Sequence, residues 1–436
     1  MFLQEISLII LQILFIYLFF NNPIFNLKTT SKIIETKYFT NIDLIILNIV
    51  IFLNLLIVIS IFSISSKIFF YIYVLLICLM LIKKFSKKIK LNYNLRDIII
   101  LLLTIFLSLD LAYTLIFGWD VQWFWYLKAL NFYQDQNFLN LNKLPVADYP
   151  HLGPYIWAFF WKYPFGDYEY LGRIVYIFFY VLAIFSFSET LKINNQLRSI
   201  VSLIIILATY KYNLFSGDSD TLVFIFILFA SKFINYLYQS ENKNNQYTLI
   251  LLLLGITNIL FWIKHEAIFF IIFIISSIII FNKLINKKNK LILISSCLFL
   301  ILLKFIVLKF LEAPIASNQW YDLNDTIYFN IEEFYFRTKK ILFYIFVYLI
   351  QNPIYLLNLP LMIISIKFLR NNSLNKSIIF FTILFFGFTF FAYFFKHKEL
   401  EFQLRNSMTE FLFSVCGFYL LVFTNFVNSF FSKIKK

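Results

Sequence analysis

The sequence predicts an all-α, polytopic transmembrane protein of about thirteen spans, with a long extracytoplasmic first loop carrying interfacial helices. Three observations predict it. The 436 residues are 61% hydrophobic with a mean hydropathy of +0.80, more apolar surface than a water-soluble fold of this size can hide. Apolar runs near the roughly 20 residues that a spanning helix needs recur from one end of the chain to the other. The ten-residue alternation of a membrane barrel strand, about one per crossing, is missing, so these runs must satisfy their backbone groups as helices.

Taken in order, the spans fall at 6–20, 43–62, 66–82, 97–117, 173–191, 199–214, 220–238, 248–263, 266–281, 291–309, 354–369, 377–395 and 408–430. The first has no basic stretch before it and no small-residue cleavage site after it, and reads as a retained span. The segment 341–352 is also apolar, but Pro353 parts it from the next run, and it reads as an interfacial or re-entrant helix. Residues 1–95 form an N-terminal three-span unit, inside the core or added to it, and 96–436 form the main membrane domain.

Lysines set the orientation. Lys83, Lys84, Lys87, Lys88 and Lys90 form the densest cluster and are placed in the cytoplasm. Alternation then brings Lys28, Lys32 and Lys37, the group Lys283, Lys287, Lys288 and Lys290, and the Lys433–Lys436 tail to the same side. The net charge of +15 is thereby read as positive-inside loops and not as a nucleic-acid surface. Cys78, Cys297 and Cys416 lie far apart in apolar runs and suggest neither a disulfide framework nor a metal site.

The opposite face collects the chemistry. Its loops, about 118–172, 213–219, 264–266, 310–340 and 396–407, hold all three histidines, His151, His265 and His397, and most aspartates. Five of the seven tryptophans fall within 118–172, together with half of all glycine and proline, whereas a mere connector is short and bland.

Four outer motifs and one at the last span carry candidate residues. In 118–129, Gly118 allows a turn, and Asp120, Phe124 and Lys128 then recur every four residues on one helix face, with Trp119 and Trp123 on another. That spacing predicts an interfacial helix with its rings at headgroup depth and Asp120 at its N-terminal end, as a general base, a metal ligand or a cap. In 147–154, Pro150, Gly153 and Pro154 predict a rigid turn that blocks helix and strand and presents Asp148 and His151. Asp218 and Asp220, two apart at a helix start, can cap it, hold a cation, or divide these roles. Lys264, His265 and Glu266 sit between two nearly uncharged runs, where the cations suit a lipid-borne phosphate. Arg405, just outside the last span, suits phosphate or the headgroup layer equally.

In their order, these segments resemble the polytopic glycosyltransferases of the GT-C class, of the protein mannosyltransferase and aminoarabinose transferase kind, which draw sugars from polyprenyl-phosphate donors. The stretch 118–129 looks like that class's first-loop "GWD…W…LKA" element, and 148–154 is similar to its "DYP…P" element. The acidic turn 217–220 follows, then 264–267, similar to "K-N-E-G", and 399–408, similar to "(D/E)LEWHL…S". The chain departs from the pattern at Ala267, where Gly is expected, at Gln403, where His is expected, and at Glu410, near where an Arg would follow.

The resemblance implies an inverting glycosyl transfer on the extracytoplasmic face of the plasma (inner) membrane. Asp120 would deprotonate the acceptor hydroxyl or hold a divalent metal, with Asp218 as a further ligand and Asp218, Asp220, Asp148 or His151 as the second polar site. Lys264, His265, Glu266 and Arg405 would serve the departing lipid phosphate. The implied partners are the polyprenyl-phosphate sugar, membrane lipid and an acceptor glycan, lipid or protein. Two other readings compete. A polymerase or ligase of lipid-linked polysaccharide would rely on outer Arg and His more than on these acids. A transporter or flippase would need charges within the spans, for which Asp110, Lys211 and Lys304 are the candidates.

Overall fold

A computed structural model describes residues 3–22, 40–85, 95–118, 120–135, 138–143, 147, 149–211, 214–314, 331–368, 372–395 and 400–434. Among these the chain is all helix, with no strand. In order the helices are α1 (Leu3–Phe20), α2 (Asn41–Ile61), α3 (Ser66–Phe85), α4 (Leu95–Thr114), α5 (Tyr126–Tyr133), α6 (Leu152–Lys162), α7 (Tyr170–Ser188) and α8 (Asn195–Thr209). There follow α9 (Ser219–Leu237), α10 (Lys243–Ile263), α11 (Ala267–Phe281), α12 (Lys287–Phe310), α13 (Ile331–Gln351), α14 (Pro353–Phe368), α15 (Ser373–Phe394) and α16 (Leu400–Ile434).

Each predicted apolar run coincides with a helix. Among the described residues, eight helices are long and apolar enough to cross a membrane: α1, α2, α7, α9, α10, α12, α15 and α16. The pair α13 and α14 meets the same test jointly but bends by 99° at the break before Pro353. Proline cannot continue the ladder of α13, yet it suits the first turn of a new helix, where its missing N–H has no partner to lose. Helix starts elsewhere are marked by short polar side chains. Asn194, Asn286 and Asn372 accept from Leu197 N (2.8 Å), Asn289 N (2.7 Å) and Leu374 N (2.9 Å), occupying backbone donors that a helix leaves open.

The centre of the bundle is α7 and α9, in which every residue is buried. Around them stand α16, α10, α4 and α6. The first two helices are tied in by amides. Gln12 Nε2 donates to Phe160 O (2.8 Å), Asn48 Nδ2 to Phe20 O (2.7 Å) and Asn54 Nδ2 to Gly255 O (3.1 Å). Such bonds between apolar helices hold where hydrophobic burial alone gives lipid-facing surfaces no preference for each other.

Both ends of α9 are charged. Near its C-terminus, Lys232 is enclosed between Asp43 (2.5 Å), Glu189 (2.5 Å) and Ser186 Oγ (3.0 Å). Glu189 also accepts from Thr40 Oγ1 at 2.8 Å and pairs with Arg96. At the other end Asp218 and Asp220 open the helix, and the candidate site is built around them.

Candidate active site

Two turns meet at the N-terminus of α9. The first leaves α4 at Thr114 and reaches Asp120, which precedes a π-type turn (Val121–Trp125) leading into α5. The second, 214–218, closes on Gly217 at φ +109°, a conformation that L side chains rarely adopt. A Cβ on Gly217 would stand 2.6 Å from Trp157 Cζ3, so the turn packs beneath that ring only without a side chain. Gly118 faces the second turn more loosely: a Cβ there would lie 3.4 Å from Asp218 Oδ2, near ordinary contact.

Arg173 of α7 fastens both turns. Its side chain is fully enclosed and donates to Ile116 O (3.2 Å) in the first and Phe215 O (3.1 Å) in the second. The fork closes on Glu169 at 2.8 and 3.0 Å, and the guanidinium lies 4.6 Å from the Phe117 ring centre. Planar, always charged and rich in donors, arginine can hold four such partners from a dry position.

The acids gather around one ammonium. Lys264 Nζ donates to Asp220 Oδ1 (2.6 Å), which also accepts from Ser414 Oγ of α16 (2.7 Å). Asp218 accepts from Ser216 Oγ (2.8 Å), makes no capping bond to α9, and stands within electrostatic reach of Asp220, Asp120 and Lys264. Burial and the charge of Asp220 push its pKa up to about 7, against the opposing pull of Ser216 and Lys264. Asp120 is exposed at the mouth, yet the protein crowding it raises its pKa, with Lys264 opposing and Asp220 adding. Burial pulls the Lys264 ammonium down, but Asp220, Glu266 and Glu410 outweigh it and hold the group above its ordinary range.

A second group of side chains lies across the hairpin 264–266. His265 Nδ1 faces Lys304 Nζ of α12 at 3.1 Å, and the same ammonium donates to Phe261 O (2.6 Å). Lys128 of α5 donates to Tyr149 O (2.9 Å) and lies 5.4 Å from the Trp125 ring. His151 Nε2 contacts Ala147 O at 3.2 Å. Burial drives the His151 pKa well down, and Lys128, His265 and Lys304 drive it further. The imidazole is therefore neutral at pH 7.

No family model matches the chain, and neither a curated protein nor a solved structure does.

Several sequence expectations are corrected here. The stretch 147–154 does not block helix: His151 is the N-cap of α6, and Gly153 and Pro154 lie in its first turn, where proline loses no bond. The four-residue face joining Asp120, Phe124 and Lys128 is broken, because the π-type turn is wider than an α-turn and slips the register. Asp120 is thus exposed while Lys128 is fully buried, enclosed by aromatic rings and not spread on a headgroup-facing surface. Trp123, by contrast, is 58% exposed and points outward. Asp120 forms no side-chain capping bond. Glu266 precedes α11 and also makes none. Arg405 is engaged elsewhere, with Glu401 (2.8 Å) and Tyr344 Oη (3.0 Å), and is 65% exposed. Trp119 and Asp148 lie outside the described residues.

The sequence reading missed Glu410, Ser414, Lys304 and Arg173 as members of the site. Glu410 is the sole charge of the predicted span 408–430, and that isolation was the signal available. Among the described residues no group of three or more His, Cys, Asp or Glu could hold a metal ion. Asp120 and Asp218 offer hard oxygen donors, but Asp220 is engaged by Lys264 and Ser414, and the ammonium occupies the place of a central cation. As arranged, these described residues do not fit a divalent ion.

Proposed function

We propose that the protein is a membrane glycosyltransferase that moves a sugar from a polyprenyl-phosphate donor to an acceptor hydroxyl, with inversion, on the extracytoplasmic face of the plasma (inner) membrane. In this scheme about thirteen helices cross, and the loops 118–172 and 310–340 stand outside. One observation carries the reading: Asp120, the Asp218–Asp220 turn, Lys264 and Glu410, distant in sequence, converge at one end of the bundle.

Asp120 takes the proton of the attacking hydroxyl. Its raised pKa suits a base that must also release that proton. The hydroxyl oxygen bonds to the anomeric carbon while the bond from that carbon to the phosphate oxygen breaks, and the electron pair leaves with the lipid phosphate. Lys264 places positive charge beside the leaving group, and His265, whose Nδ1 faces Lys304, can offer it a ring N–H. Lys264 also holds Asp220, which stops that carboxylate from competing as the base. Asp218, protonated below about pH 7, spares Asp120 a second neighbouring charge. Arg405, bound to Glu401, stays outside the chemistry.

The test is surface-glycan and lipid analysis of a deletion strain complemented with wild type or Asp120→Asn. A glycan lost on deletion should return with wild type, and the variant should insert and accumulate yet transfer at least about 100-fold more slowly. Full restoration by the variant would move the base elsewhere. An unchanged glycan profile would sink the transferase reading and promote the transporter.

A further inference from the structure

We propose that Lys304 is a positioning residue: its ammonium holds the His265 ring by Nδ1, so that the ring carries its proton on Nε2. The inference rests on the transferase reading only for what that N–H then serves, the departing phosphate.

Lys304 is the one charge of α12 between Lys290 and Lys309. Only 22% of that helix is buried, yet Lys304 is 1% exposed. A charge enclosed within an apolar span is costly to hold and marks a functional position by default. Its Nζ meets two atoms. One is Phe261 O at 2.6 Å, in the last turn of α10, where a helix end leaves its carbonyls open. The other is His265 Nδ1 at 3.1 Å, in the hairpin that follows.

Capping α10 explains the first contact and not the second. An ammonium has three donors and no acceptor, so the Nδ1 it meets is the bare nitrogen of the ring. Which ring nitrogen bears the proton follows from the bond that the other one makes. Nε2 therefore carries the N–H and directs it away from α12. The same contact opposes a half-turn of the ring, which would bring a C–H against the ammonium. The main chain on both sides is already pinned: Lys264 N donates to Leu260 O at 3.2 Å, and Ile268 N to His265 O at 3.1 Å. Ring orientation and tautomer are the freedoms left, and one ammonium fixes both. Lys264, the preceding residue, turns to Asp220 instead. The hairpin thus divides two tasks, with Lys264 supplying charge and His265 a directed N–H. An amide at position 265, as in the "K-N-E-G" element, would need no partner to choose a tautomer. A histidine does, and α12 provides it.

The experiment uses the full chain in nanodiscs with isotope-labelled histidine, and reads the ring nitrogens by solid-state NMR near neutral pH. The His265 signals are those missing from His265→Asn. In wild type, Nδ1 should lie in the unprotonated range and Nε2 in the protonated range. A protonated Nδ1 overturns the proposal, and this measurement needs no lysine variant. In Lys304→Met the ring loses its director, and Nδ1 should show a protonated fraction. Unchanged signals in that variant also overturn the proposal. Sugar transfer, measured per amount of inserted protein, separates positioning from capping. Lys304→Met should lower transfer at least about tenfold with His265 present, through loss of one charge-assisted hydrogen bond. In the His265→Asn background the same change should cost less than about twofold. Equal losses in both backgrounds would reduce Lys304 to a cap of α10. The expected ring signals in a protein that transfers no sugar would defeat the transferase reading alone. Transfer with Nδ1 protonated would defeat this inference alone.

Discussion

Asp218 and Asp120 are two carboxylates in one turn-to-turn contact, and their surroundings separate them. Asp218 is half-buried beside Asp220, and its pKa rises from 3.8 to about 7. The fold therefore favours its protonated form. That contribution to stability is fully present below 3.8 and is lost as pH climbs through about 7. Wild-type protein in detergent should lose melting midpoint across this window, and Asp218→Asn, neutral throughout, should lose less. Equal pH profiles for the two proteins would count against a protonated Asp218. Asp120 was visible in the sequence as an acid after a permissive glycine. Its exposure, in contrast to buried Lys128 only eight positions on, depends on a π-type turn that residue spacing did not reveal.

At the scale of elements, the site is a junction of helix ends held from within by Arg173. Lys keeps a charge at this position but cannot bridge Glu169, Ile116 O and Phe215 O together. Arg173→Lys should keep most of the melting midpoint while lowering transfer, because both turns lose their common anchor. Arg173→Gln should cost more, by leaving half-buried Glu169 beside no cation and both turns without their donor. Thermal melts paired with transfer assays separate the effects, and equal loss of both in the Lys variant would reduce Arg173 to a folding role. Helix existence was legible in the long apolar runs, which admit little else. α6 was not: Pro150 and Pro154 read as a turn, and the second lies in the first helical turn, where no backbone N–H bond is lost.

Across the whole molecule, α9 links two charged regions about 18 Å apart, from Asp220 to Lys232. At the far end Lys232 neutralises Asp43 and Glu189, so the second helix of the chain is bound to its central pair through an enclosed ion network. Such networks add little net stability but are costly to break from one side. Lys232→Met should lower the yield of folded protein in detergent by leaving Asp43 uncompensated. Lys232→Met combined with Asp43→Asn should recover much of it, since Arg96 remains for Glu189. Failure of the double variant to exceed the single one would show that packing, not charge, sets the loss.

The sequence by itself determined the all-helical class, the positions of the apolar helices and the gathering of acids, histidines and tryptophans into a few segments. Each follows from local composition, which dictates what can sit in an apolar medium. Tertiary structure alone decided which of those residues meet. It joined Lys264 to Asp220 and Ser414, separated Arg405 from them, and enclosed Lys128 and Lys304 on the other side of the hairpin. The reason is physical: a charge in sequence carries no record of its burial, and the pairing of a buried charge depends on helices far away along the chain.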